Sequence, residues 1–147
     1  MVTLRVSGTN FDVDAFLRET NIAPAAVFRR GQPKFPAVQP NGPVLDHSGL
    51  NIGLSDAEFG DIQRQSSDAL QFLAEHFAQV KRLRTYPGVD GLELDFAVHG
   101  NDDAFVESYR FAPELLEQIA RLGITLCVSR YVPANDATQQ IVGRERR

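Results

Sequence analysis

Between Gly91 and His99, apolar Leu92, Leu94, Phe96 and Val98 alternate with Glu93, Asp95, Ala97 and His99. Successive side chains of a strand point to opposite faces, so this period predicts a strand with one face on a core and the other in water. The chain is thereby committed to a sheet with something apolar laid against one side of it. A turn at Gly100-Asn101-Asp102-Asp103 is expected next, followed by a second strand from Ala104 to Phe111. Pro113 then opens a short helix, Glu114 to Leu122, which Gly123 stops, and Ile124 to Val132 reads as a third strand of this block.

The remaining elements fall in around that strand. Val2, Leu4 and Val6 alternate with Thr3, Arg5 and Ser7 to give a first strand, closed by a turn at Gly8-Thr9-Asn10. Asp12 is a helix N-cap, and Phe11 and Phe16 flank it as a hydrophobic staple for a helix over Val13 to Thr20, which ends before Pro24. Ala25 to Arg30 predicts a short strand. Pro33, Pro36, Pro40 and Pro43 then make Gly31 to Pro43 an extended surface loop or covering arm. His47 to Leu54 regains alternation through Leu50, Ile52 and Leu54. Ser55 and Glu58 match a capping box for a long helix, whose apolar positions Ile62, Leu70, Leu73, Phe77 and Val80 recur at helical spacing. Gly60 and the Ser66-Ser67 pair weaken its first turns, leaving Asp68 to Leu83 as its secure part, and Tyr86-Pro87-Gly88 closes it.

This order predicts an α+β fold: a mixed or antiparallel sheet with helices packed on one face, built as a ferredoxin-like unit plus an added strand-helix-strand. Residues 1–132 form the single expected domain, and 133–147 a polar flexible tail. At 147 residues and 43% hydrophobic, the chain can bury a core without staples, and its single Cys127 permits no internal disulfide. No apolar run approaches the roughly 20 residues of a membrane span, and no basic leader precedes an apolar stretch, so a cytoplasmic protein away from membranes is expected. A net charge of -4 argues against general nucleic-acid binding, which depends on neutralising phosphates.

Several of these turn, cap and core residues also carry a family likeness. The Ser7-Gly8 turn with Phe11-Asp12, the spacing from Pro24 through Phe28 to Gly31, the run Leu115-Leu116, Ile119-Ala120 and Leu122-Gly123-Ile124, and the closing Ser129-Arg130-Tyr131 resemble a family of small bacterial domains, domain of unknown function 4279. The likeness extends nearly to Val132 and departs in the Pro-rich loop. It brings no catalytic residues to carry over. It implies a bacterial protein or module, accessory or immunity-like, that works by binding.

The sequence offers few sites for chemistry. Glu93, Asp95 and His99 share one face of the central strand, and two carboxylates with an imidazole form an acid/base or hard-metal set. A solvated sheet face with a turn histidine is the commoner origin of such a set, since charged strand faces are usually just wet. Thr3, Arg5 and Ser7 should join that face, as should Thr125, Cys127, Ser129 and Tyr131, giving a mixed-charge surface suited to docking. Arg29, Arg30 and Lys34, beside Phe28 and Phe35, form a basic cluster for an acidic partner or a phosphate-bearing ligand. Asp46-His47-Ser48 cannot be a triad, whose members come from distant positions. Cys127 lacks a thiolate-stabilising neighbour, and no zinc spacing, phosphate loop or dinucleotide fingerprint occurs. The expected function is therefore binding of a protein partner through Arg5, Glu93, Asp95, Tyr131, Arg29, Arg30 and Lys34, with no catalytic residue, metal or cofactor assigned. An enzyme centred on Glu93 and Asp95, taking a small molecule or a divalent metal, and a structural homodimer are the alternatives.

Overall fold

The computed structural model describes residues 1–100 and 105–131. In chain order they form β1 (Val2–Gly8), α1 (Val13–Glu19), β2 (Ala26–Phe28), β3 (Ser48–Ser55), α2 (Ile62–Glu75), α3 (Phe77–Arg84), β4 (Gly91–His99), α4 (Pro113–Leu122) and β5 (Thr125–Tyr131). The strands make one mixed five-stranded sheet in the order β2-β3-β1-β4-β5. β1 to β4 pair antiparallel, in the strand order of a ferredoxin-like unit, and α4 carries the chain back so that β5 joins β4 in parallel. The fold is α+β, as the periodicities require.

The alternation decides which side is covered. Val2, Leu4, Val6, Leu50, Ile52, Leu92, Leu94 and Phe96 enter the core with Phe16, Leu73, Val80, Leu83, Leu115 and Ile119 from the helices. Asp12 caps α1, its carboxylate accepting the Ala15 N–H at 2.8 Å, and the Phe11 and Phe16 rings pack at a tilt behind it, centroids 5.9 Å apart. α4 ends on Gly123, whose φ of 64° is the left-handed conformation that a C-terminal glycine allows.

Three expectations are corrected. No strand forms over 105–111: β4 is already hydrogen-bonded to β1 on one edge and β5 on the other, so a hairpin partner has no edge to join. The chain instead runs irregularly to Phe111, which packs edge-on against Phe96 at 4.9 Å, and the addition to the ferredoxin-like unit is a helix and a strand. The capping box does not form either. Asp61 is the N-cap of α2, accepting from Arg64 N–H at 3.0 Å, while the Ser55 hydroxyl donates to Asp68 at 2.6 Å and accepts from Ala57 N–H at 3.1 Å. Finally, Asp68 to Leu83 is two helices. At His76 the backbone departs to φ -109°, ψ 20°, its ring stacked on Phe72 at 4.2 Å, and α3 then sets off with Val80 and Leu83 turned into the core. The Asn101-Asp102-Asp103 turn and the tail from Pro133 lie outside the described residues.

The Pro-rich segment is an arm folded back on itself. Pro33 bridges Val44, and Gly31, Lys34 and Leu45 N–H groups donate across the arm to Leu45, Pro43 and Gln32 carbonyls at 2.8 Å. Prolines stand where the ladder needs no donor, which is how such a segment can still pair. Phe35, Val38 and Val44 are exposed on it.

Candidate functional site

Among the described residues no helix covers the second face of the sheet, and the strand register lays its side chains out in rows. One row crosses Ala26, Asn51, Arg5, Glu93 and Thr125; the next crosses Phe28, Gly49, Ser7 and Gly91; another crosses Gly53, Thr3, Asp95 and Cys127. The row through Ser7 has glycines at two positions, so it is a gap between taller neighbours. A trough of about 340 Å³ results, lined by Arg5, Ser7, Asn51, Glu93 and Thr125 and ending on Phe28 and His47. That volume lies at the lower end of the range for small-ligand pockets, about 300–1,000 Å³.

Gly49 builds the end wall. A Cβ there would stand 2.2 Å from the Val6 carbonyl oxygen and 2.5 Å from the Phe28 ring, so only glycine lets that ring lie down over β3. His47 meets the ring edge-on at 5.5 Å and is itself held by Asp46, whose carboxylate lies 2.6 Å from Nδ1. This hydrogen bond keeps the Asp46 carboxyl below its ordinary range.

The charges on the face are unequally matched. Asp95 is only 3% exposed, and the Arg5 guanidinium donates to it, while its second carboxylate oxygen is buried with no hydrogen-bond partner among the described residues. Glu93, although directly opposite Arg5 in register, has no hydrogen bond or ion pair among the described residues. Cys127, beside Asp95 on β5, has its thiol pushed up chiefly by burial, with the Glu93 and Asp95 carboxylates adding to the effect. Such a thiol is protonated near neutrality and is a poor nucleophile.

Of the expected binding residues, the fold brings Arg5, Glu93 and Asp95 together and spreads the rest. Tyr131 shares their face but stands at the far end of β5, its ring 5.3 Å from Phe59, with His99 5.0 Å from the same ring. His99 is thereby separated from Glu93 and Asp95, and no three His, Cys, Asp or Glu side chains among the described residues are placed to hold a metal ion. Arg29 is engaged by α1: its Nε and a terminal nitrogen reach the two Asp14 oxygens at 2.9 and 2.6 Å, and this pairing lowers the Asp14 carboxyl. Arg30 donates to the Thr9 carbonyl oxygen at 3.4 Å, and Lys34 lies near Asp46, so the three cations do not converge on one ligand position. Ser48 accepts from Arg30 N–H at 3.0 Å rather than meeting His47.

Asn51, Phe28 and His47 are the trough residues that the sequence reading did not select. The phase of β3 places Asn51 opposite Leu50 and Ile52, a signal that was available; the folding of Phe28 onto Gly49 was not, because it joins residues from two strands. In comparison with known proteins, the chain matches no family model, no curated protein and no solved structure.

Proposed function

We propose that this protein is a binding domain that recognises a protein partner through the open face of its sheet, with the trough beside Glu93 at the centre of the contact. The supporting observation is the face itself: five strands wide, with no helix over it among the described residues, and carrying polar rows beside an unpartnered carboxylate. A solvated face of this breadth with aromatic residues at both margins, Phe28 and Tyr131, has the composition of a recognition surface rather than a core. The likeness to domain of unknown function 4279, an accessory or immunity-like role and a cytoplasmic setting belong to the same proposal.

An enzyme centred on Glu93 and Asp95 is less well supported. Acid and base catalysis by two carboxylates requires both to be available, and here Arg5 neutralises Asp95. A second copy of the chain is the other candidate partner, favoured by β5 standing at the sheet edge with Val128 and Tyr131 exposed.

The test is to capture a partner from host lysate, purify it, and measure hydrogen exchange in the reconstituted complex. Protection over β1, β4 and β5, with affinity lost in a Glu93→Arg, Thr125→Arg double variant of unchanged melting temperature, is the expected result. Protection confined to the arm at residues 31–47 or to the helices would overturn it. Sedimentation of the isolated chain separates the homodimer reading.

A further inference from the structure

We propose that the trough receives a cationic side chain, a lysine or an arginine, projecting from the protein partner. This inference rests on the open-face reading above and specifies its chemistry. Cross-strand neighbours of opposite charge normally pair, and Arg5 and Glu93 are direct neighbours in register. The Arg5 guanidinium goes instead to Asp95, and the two cancel. Glu93 remains as the uncompensated charge on the trough wall, since the other ionisable lining group, His47, is held by Asp46. Arg5 and Glu93 on the lining are of opposite sign, and with the buried Asp95 that Arg5 faces the site carries one negative charge in excess, beside acceptor oxygens on Glu93, Asn51, Ser7 and Thr125.

The shape fits the same occupant. The floor is made by Ser7 and Gly91, and a Cβ at Gly91 would meet nothing within 4 Å, so there is room for an unbranched chain along this row. At its end lies the Phe28 ring, against which an alkyl stem packs and a cation is attracted. Lysine and arginine combine such a stem with a terminal donor cluster. A carboxylate ligand fits less well, because it would have to compete with Asp95 for Arg5 while lying beside Glu93.

The probes are three capped tripeptides with a central arginine, lysine or citrulline between glycines, titrated at low ionic strength and followed by amide chemical shifts. Saturable shifts at Ser7, Asn51, Gly91 and Glu93 are expected with the two cations. Citrulline, isosteric with arginine but neutral, should bind about tenfold more weakly or worse, and Glu93→Gln should abolish the difference. Equal binding of citrulline, or no shift at the solubility limit of the cationic peptides, overturns the proposal. So does tighter binding of free arginine than of its capped form, which would make the trough an amino-acid pocket. Against the captured partner, retention of affinity by Glu93→Gln but loss by Thr125→Arg would sink the cationic side chain and leave the open-face reading standing. Retention by both would sink the open-face reading itself.

Discussion

The two faces of one sheet obey opposite rules, although the same strands supply both. On the covered face Val2, Leu4, Val6, Leu92, Leu94 and Phe96 are each at most 2% exposed and pack against the helices. On the open face Arg5, Glu93 and Thr125 alternate with them and keep contact with water, while glycine recurs at 49, 53 and 91. Volume is what matters on the first face, because every methylene there has packing partners. Charge placement and the absence of side chains matter on the second. Such a division teaches that stability and recognition are written on the same strands in alternate residues, and that substitutions one position apart should report on different properties.

The sharpest test of that division is the adjacent pair Glu93 and Leu94. Leu94→Ala empties a fully buried position at the centre of the sheet and should cost about 2–5 kcal/mol in urea unfolding. Glu93→Gln, one residue away, should stay within about 0.5 kcal/mol. Comparable losses at both positions would break the comparison.

Next in size is the place where the open face behaves like a core. Asp95 is buried there and relies on Arg5 for its compensation. Arg5→Ala should destabilise by about 1–3 kcal/mol, the cost of leaving a buried acceptor without its donor, reduced by the exposure of the arginine. Adding Asp95→Asn to that variant should recover part of the loss, since it removes the uncompensated charge. A double variant less stable than Arg5→Ala would show that the pair is not the reason for the burial of Asp95.

The smallest expected effect concerns Cys127. With its thiol raised by burial, less thiolate is present at any given pH, so alkylation by iodoacetamide at pH 8 should be slower than that of free cysteine and should keep accelerating as pH rises beyond the ordinary thiol range. Faster alkylation than the free amino acid would mean that this end of the face is more open than its geometry indicates.

Much of this was legible in the strands. The alternation of Val2 to Ser7, Leu50 to Leu54 and Leu92 to Val98 set both faces, and Asp12, Pro113 and Gly123 marked helix ends correctly, because caps and turns are decided by residues within a few positions of one another. Ser55 with Glu58 misled for the same local reason. The spacing suits a capping box, but Asp61 follows closely and caps the helix, while Asp68, nearly two turns inside it, accepts from the Ser55 hydroxyl. The expected strand at Ala104 to Phe111 failed on a non-local ground: no edge of β4 was free.

Sequence alone thus determined most of the elements, the face each strand presents and the gathering of Arg5, Glu93 and Asp95 on one side. Tertiary structure decided which charges meet. Arg5 lies directly across from Glu93 yet pairs with Asp95, Arg29 is drawn to Asp14 on α1, and Phe28 reclines on a glycine of the neighbouring strand. The reason is range. Periodicity is a property of consecutive residues, whereas a long side chain can reach several candidate partners at once, and strand order, helix placement and local burial select among them.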